Sequence, residues 1–190
     1  EGLVPEEDIK ELCTLTEQKG GKVGLKRSRD GSVKPYELNI TWASILNDDE
    51  LSEEDLVRKI VNSHAVIMFF PGIGAHYVHN FFGTQNWQEG FKKSGIARRL
   101  NRKKLKYPIE HSSFSKKVLE GLREWIDFKS QYPQISPNSY FEVIDLDSRV
   151  LSFQRGEGDS KLLLFFNLSD KKLKIKELDT ALKPFELLIL

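Results

Sequence analysis

The side chains best suited to chemistry concentrate in one long stretch, residues 79–113, which is rich in glycine, arginine and aromatic residues. A stretch of this length without a regular pattern inside a compact domain is usually functional or disordered. It carries a basic run made of Arg98, Arg99, Arg102, Lys103 and Lys104. A guanidinium offers several fixed donors to hydroxyl groups or to an anion, but such a run is more often a solvated loop.

Two histidines, His76 and His79, flank Tyr77 at the start of this stretch and raise the question of a metal site. Zinc sites use three or four protein ligands. No third ligand is evident, because His64 falls on an apolar helical face and His111 lies in a loop. We therefore expect neither a metal nor a cofactor, and we interpret His64 as a core histidine.

Other aromatic and acidic residues have two interpretations each. Trp42 and Trp87 lie in predicted loops, where stacking on a sugar and ordinary packing are both open, whereas Trp125 fits the core face of a helix. Asp145 and Asp147 suggest a paired-carboxylate or calcium site. They lie at the end of a predicted strand beside a turn, which favours solvated acids.

Three helices would position these residues. Pro5 and the acids after it predict a helix start, and Gly20 predicts its end. A second helix opens at Ser52, repeats apolar residues along one face, and ends at Pro71. A third begins at Phe114.

Strands are predicted in two regions. Residues 22–38 predict a hairpin or an extended excursion, and residues 74–78 predict one short strand. The short apolar runs 140–146, 150–155, 162–168, 173–175 and 185–190 predict an antiparallel sheet of about five strands. The order helix, strand, long loop, helix is that of the last turn of a (β/α) barrel, where the loops after the strands carry the active site. We place the barrel part in residues 1–132 and the β-sheet domain in residues 138–190.

Composition excludes several classes of protein. Lys plus Arg is 29 and Asp plus Glu is 28, so the net charge of +1 gives no case for binding nucleic acid or an anionic membrane. The longest apolar runs are too short to span a bilayer. One cysteine, Cys13, argues for a reducing compartment, and we expect a cytoplasmic protein. The chain starts at Glu1, and its only methionine is Met68, so we interpret it as a piece of a longer protein.

Several ordered motifs resemble one enzyme family. Residues 69–78 run from an apolar helix through Pro71-Gly72, residues 83–90 read Gly-Thr-Gln-Asn-Trp-Gln-Glu-Gly, and Leu100-Asn101-Arg102 follows the basic run's first members. These segments and the stretch 36–42 resemble segments of the α-amylase superfamily, in its sucrose phosphorylase and glucosylglycerate phosphorylase-like branch. They also occur along the chain in the same order as in that family. Gly74 stands where the family often has proline. The resemblance runs from Glu1 to about Gln131.

The resemblance implies a fold and a mechanism. The fold is α/β, with the carboxy-terminal end of a (β/α)₈ barrel followed by a small antiparallel β-sheet domain. Such enzymes are retaining: an Asp attacks the anomeric carbon, and a Glu acts as general acid and then as general base. These acids, and a further stabilising Asp, lie on barrel strands before the region that Glu1 matches. The resemblance therefore implies that no catalytic residue lies in this chain and that the chain alone has no turnover.

The resemblance also assigns substrate-binding roles. Arg102 and Asn101 would contact the glucosyl group, and Tyr36 and Glu37 would line the acceptor side. Glu37 departs from the Gln of sucrose phosphorylases, which favours a glyceryl or other polyol acceptor over fructose. His76, Tyr77 and His79 would contact sugar from the end of the last barrel strand.

The function implied is reversible phosphorolysis of an α-glucoside to glucose 1-phosphate, with a sugar and inorganic phosphate as substrates. Two alternatives stay open: a hydrolase or transglucosidase of the same superfamily, and a non-catalytic binding domain. An unclosed barrel leaves strand edges and apolar faces uncovered. We therefore expect the chain to pair with a missing amino-terminal part of the barrel, or to self-associate.

Overall fold

The computed structural model describes residues 3–109, 111–175 and 180–190. These residues form two compact units. The first unit comprises Glu1–Asn47 and Val78–His111, and the second comprises Asp48–Tyr77 and Ser112–Leu190. Glu1 and Gly2, which open the resemblance to the family, lie outside the described residues. The predicted division into residues 1–132 and 138–190 stays a prediction.

The regular elements alternate between the two units along the chain. The helices are α1 (Glu6–Gln18), α2 (Trp42–Leu46), α3 (Glu53–Phe69), α4 (Gln88–Ser94) and α5 (Ser113–Gln131). The strands are β1 (Lys22–Arg27), β2 (Val33–Asn39), β3 (Phe141–Asp147), β4 (Val150–Arg155), β5 (Leu162–Asn167), β6 (Leu173–Lys174), β7 (Ala181–Leu182) and β8 (Leu187–Ile189). The first unit holds α1, β1, β2, α2 and α4, and the second holds the rest.

The first unit contains the predicted hairpin, in which β1 and β2 pair antiparallel. The connecting turn contains Gly31 at φ 85°, a conformation that glycine adopts without steric cost. The register shifts from Gly24 opposite Glu37 to Leu25 opposite Pro35, so Tyr36 is the extra residue of a β-bulge. Proline has no N–H to give to a ladder and is found at bulges, which explains why the irregularity falls beside it.

The second unit contains a four-stranded antiparallel sheet in the order β3-β4-β5-β8. Four of the five predicted runs form it. The remaining run, 173–175, instead pairs through β6 with β7, a two-residue strand that was not predicted. Strands this short carry too little periodicity to be read from sequence. The adjoining residues 176–179 lie outside the described part of the chain.

Helices α3 and α5 pack together in the same unit, and both were predicted. Ser52 caps α3 by accepting a hydrogen bond from the Asp55 N–H at 3.1 Å. A Cβ at Gly121 on α5 would lie 3.0 Å from both γ-carbons of Val61 on α3. Glycine therefore permits the close approach of the two helices. Trp125, predicted to lie on the core face, is half-buried and contacts the buried ring of Phe69 edge-on.

The predicted strand at residues 74–78 is wrong. Residues 74–77 are irregular and Val78–Phe82 is a 3-10 turn. A barrel strand takes its backbone hydrogen bonds from parallel neighbours on both sides, and all strand pairs among the described residues are antiparallel. The segment 79–113 is also less irregular than predicted, because it contains α4 and the 3-10 turn Ala97–Arg99.

One amide joins the helices of the second unit to its sheet. Asn62 on α3 accepts a hydrogen bond from Trp125 Nε1 on α5 at 3.0 Å and donates one to the Phe185 carbonyl at 2.8 Å. Phe185 lies in the turn before β8, with its side chain buried and its φ at 53°. That left-handed conformation is strained for a non-glycine residue, so the surrounding contacts must hold it.

A second polar contact in this unit joins two histidines. The Nδ1 atoms of His64 on α3 and His76 are 3.2 Å apart, and His64 is almost completely buried. Burial, and secondarily the charge of His76, lowers the pKa of His64 to about 4. Burial, and secondarily the charge of Lys129, lowers the pKa of His76. The prediction that His64 is a core histidine is confirmed.

We expect Asn62→Ala to destabilise the chain strongly, because it leaves the Trp125 N–H and the Phe185 carbonyl without their partner. A buried polar group that loses its hydrogen bond costs about 1–3 kcal/mol, so the loss here should reach about 2–5 kcal/mol in urea unfolding. The control is Asn138→Ala at an exposed turn, which should change stability by less than about 0.5 kcal/mol. Equal effects of the two substitutions would refute the role of Asn62.

The stability of the chain should fall as the pH drops from about 6.5 towards 4. The folded-state pKa of His64 lies below its ordinary value of 6.5, so the unfolded state binds the proton first and acid favours unfolding. One such group gives a slope of up to about 1.4 kcal/mol per pH unit. Urea unfolding across this window should show a flatter slope for His64→Gln than for the unsubstituted chain. Parallel curves would contradict the assignment.

Candidate substrate-binding site

The seven residues predicted to bind substrate fall in both units. Tyr36 and Glu37 lie on β2, His79 lies in the turn Val78–Phe82, and Asn101 and Arg102 follow the turn Ala97–Arg99. These five belong to the first unit. His76 and Tyr77 belong to the second unit, where His76 contacts His64 and Tyr77 is about half exposed.

Glu37 links β2 to the turn that precedes Asn101. Its Oε2 accepts a hydrogen bond from Arg98 Nε at 3.0 Å, and the side chains of Glu37 and Arg98 are 28% and 52% exposed. An exposed ion pair adds little stability, so its main effect is to orient the two side chains. Arg98 was predicted to be one of the solvated cations, because no local signal exists for a partner 61 residues away.

Tyr36 is presented to solvent by the bulge in the hairpin. Its side chain is 64% exposed, and Lys26 Nζ lies 5.0 Å from the ring centroid. A bulge at this position re-aims the side chain relative to a regular strand. Lys26 therefore lies over one face of the exposed ring, and the acceptor-side role of Tyr36 stays a prediction.

His79 is buried and fixes the other end of the candidate loop. Its Nδ1 lies 3.2 Å from Thr84 Oγ1. Burial lowers its pKa, while a hydrogen bond to the Lys103 backbone opposes that effect and the charge of Lys103 adds to it. His79 thus contacts the residue next to Arg102. Its contact with sugar stays a prediction.

Asn101 and Arg102 follow a buried anchor. Leu100 is fully buried, and its carbonyl accepts a hydrogen bond from the Trp87 N–H at 2.8 Å. The Arg102 side chain is exposed. Asn101 Oδ1 is buried, and no group in the described part of the chain donates a hydrogen bond to it. A buried acceptor in that state costs free energy, and the role of Asn101 in binding the glucosyl group stays a prediction.

The stretch 83–90 holds these elements together. Asn86 Oδ1 accepts a hydrogen bond from the Thr41 N–H at 2.9 Å, and its Nδ2 donates to the Lys19 carbonyl at 3.2 Å. The Asn86 N–H donates to Ser44 Oγ at 2.9 Å. One residue therefore docks on the end of α1, on the chain after β2 and on α2.

The ring of Trp87, the next residue, packs against Gly90. A Cβ at Gly90 would lie 2.1 Å from Trp87 Cε3, so only glycine fits against the ring. The next residue, Gln88, donates through Nε2 to the Gly20 carbonyl at 2.7 Å. Of the two interpretations of Trp87, the structure favours packing.

Of Asp145 and Asp147, which were predicted to be solvated, Asp147 forms an ion pair. Asp147 bonds Arg149, and hydrogen bonds from Arg149 lower the pKa of Asp147 to about 2. Among the described residues, no group of three or more His, Cys, Asp or Glu side chains is arranged to hold a metal ion. Within the same residues, no helix combines the length and apolarity that crossing a membrane requires.

The chain is similar in sequence to several characterised phosphorylases, whereas no protein-family model matches it. It is 30% identical over 175 residues to the glucosylglycerate phosphorylase of Escherichia coli, covering 88% of this chain and 31% of that protein. It is 32% identical over 178 residues to the glucosylglycerate phosphorylase of Allomeiothermus silvanus, covering 90% and 32%. The sucrose 6(F)-phosphate phosphorylase of Thermoanaerobacterium thermosaccharolyticum is 25% identical over 180 residues, covering 92% and 35%.

Solved structures show the same fold. The crystal structure of a sucrose 6F-phosphate phosphorylase from Thermoanaerobacter thermosaccharolyticum matches all of this chain and 37% of its own, with a TM-score of 0.70 at 22% identity. A maltogenic amylase from S. marinus matches 77% of this chain and 20% of its own, with a TM-score of 0.53 at 16% identity. The predicted fold class is confirmed: the region is the end of a (β/α)₈ barrel with an antiparallel β-sheet domain.

Sequence and fold agree on the same family, and the chain spans about a third of the length of the curated relatives it matches. Over most of its length the chain is therefore homologous to the sucrose and glucosylglycerate phosphorylases, a branch of the α-amylase superfamily of carbohydrate-active enzymes.

Proposed function

We propose that the protein containing this chain is a retaining phosphorylase that transfers the glucosyl group of an α-glucosylglycerate to inorganic phosphate. The observation that carries this proposal is the sequence similarity. Three relatives at 30–32% identity are glucosylglycerate phosphorylases, whereas the sucrose 6(F)-phosphate and glucosylglycerol phosphorylases match at 22–25%.

The reaction exchanges one bond at the anomeric carbon. The bond from C1 to the glyceryl oxygen breaks, a bond from C1 to a phosphate oxygen forms, and the leaving oxygen takes a proton, giving glucose 1-phosphate and glycerate. A retaining enzyme needs two carboxyl groups about 5–5.5 Å apart for the nucleophile and the acid–base. We assign these to the part of the relatives that this chain does not span, so this chain supplies binding residues and the chain alone is inactive.

Arg102 and Asn101 would bind the glucosyl group. An exposed guanidinium on a segment anchored by Leu100 suits this role, since it can direct several donors at sugar hydroxyls or at phosphate. Tyr36 and Glu37 would bind the acceptor, and His76, Tyr77 and His79 would contribute further sugar contacts.

The partners follow from the same proposal. Ile67, Phe70 and Ile73 form an exposed apolar patch at the end of α3, which supports cover by the remainder of the barrel or by a second copy. Cys13, a free thiol, supports a reducing, cytoplasmic location. Neither nucleic acid nor membrane is a proposed partner, because the net charge is +1.

The test is phosphate dependence of the full-length protein. With glucosylglycerate and phosphate, it should release glucose 1-phosphate and glycerate in equal amounts, and without phosphate the rate should fall at least about tenfold, because water replaces the better-bound nucleophile. The 190-residue chain alone should give no rate above a buffer blank. Release of free glucose at an undiminished rate without phosphate would establish a hydrolase instead.

A further inference from the structure

Arg98 stands apart from the other cations of the basic run because the structure gives it a distant partner. Its Nε donates to Glu37 Oε2 at 3.0 Å, across 61 residues of sequence. We propose that Arg98 binds the carboxylate of the acceptor glycerate and so selects an anionic acceptor over a neutral polyol. The inference rests on the proposed function, and it assigns a specificity-determining residue within that reaction.

The geometry leaves the outer edge of the guanidinium available. In the described part of the chain, the bond to Glu37 is the one hydrogen bond that the Arg98 side chain makes. It occupies Nε, whereas Nη1 and Nη2 together form the edge that binds a carboxylate with two parallel hydrogen bonds. The side chain is 52% exposed, so an incoming acid can reach this edge.

Charge explains why Glu37 requires this neighbour. A lone carboxylate on the acceptor side would repel an acidic acceptor. The ion pair of Glu37 and Arg98 has no net charge, and the Glu37 oxygens accept hydrogen bonds from the glyceryl hydroxyl groups. The pair therefore complements glycerate as a whole, with a cationic donor for its carboxylate and an anionic acceptor for its hydroxyls.

Arg98 lies next in sequence to the residues proposed to bind the glucosyl group. It lies in the turn Ala97–Arg99, directly before Leu100, Asn101 and Arg102. The Leu100 carbonyl is bound by the Trp87 N–H, which fixes this short segment. A side chain for the acceptor and one for the glucosyl group thus extend from the same anchored loop.

A nearby ion pair provides a matched control. Lys93 on α4 bonds Glu89 at 2.6 Å, one helical turn away, and both side chains are more than half exposed. Lys93→Ala removes one positive charge from an exposed pair in the same unit, as Arg98→Ala does. It touches none of the candidate binding residues.

The experiment measures acceptor selectivity of the full-length enzyme in the synthetic direction. Glucose 1-phosphate is supplied with glycerate or with glycerol, and phosphate release gives kcat/KM for each acceptor. Arg98→Ala should lower kcat/KM for glycerate about 100-fold, the scale of losing hydrogen bonds to a charged group, and that for glycerol less than about threefold. Arg98→Lys, which keeps the charge but loses the planar fork, should fall in between, and Lys93→Ala should match the unsubstituted enzyme.

The outcomes separate this inference from the proposed function. If Arg98→Ala and Arg98→Lys leave the ratio of kcat/KM for glycerate to that for glycerol unchanged, the role of Arg98 is overturned. The phosphorylase proposal stands in that case. An unsubstituted enzyme that transfers glucose to neither acceptor overturns the proposed function, and this inference with it.

Discussion

Two hydrogen bonds of the Asn86 side chain connect separate parts of the first unit. Its amide satisfies the Thr41 N–H on one side and the Lys19 carbonyl on the other. The next residue, Trp87, holds the Leu100 carbonyl. Through these two adjacent residues, the strand that bears Tyr36 and Glu37 and the loop that bears Asn101 and Arg102 are tied to one stretch of chain.

A side-chain amide also connects separate parts of the second unit. The Asn62 amide also serves as donor and acceptor at once, joining α5 to the turn at Phe185. An amide that donates and accepts at once can make these paired bonds in one geometry only, so it specifies an arrangement that apolar packing leaves loose. In the first unit that arrangement concerns a candidate binding loop, and in the second it concerns the attachment of a β-sheet to two helices.

Local signals predicted much of the fold, and their reach explains where prediction stopped. Caps at Pro5 and Ser52 and one-face periodicity located α1 and α3, and the hairpin followed from its turn. The strand at 74–78 failed because an apolar run does not say whether neighbours exist to pair with it. Helix α4 was missed although Gly95, at φ 65°, is a helix-ending signal. The candidate residues came from family motifs, whereas the Arg98–Glu37 pair depends on tertiary proximity that no spacing encodes.

The proposed function requires residues 36–37 and 98–102 to face one substrate. The most direct measurement is a crystal structure of the full-length protein with glucosylglycerate bound. We expect the Arg102 guanidinium to lie within hydrogen-bond distance of the glucosyl hydroxyls, with Glu37 and Arg98 at the glyceryl end. A glucosylglycerate molecule bound in the barrel without contact to any of these residues would show that they do not form its binding site.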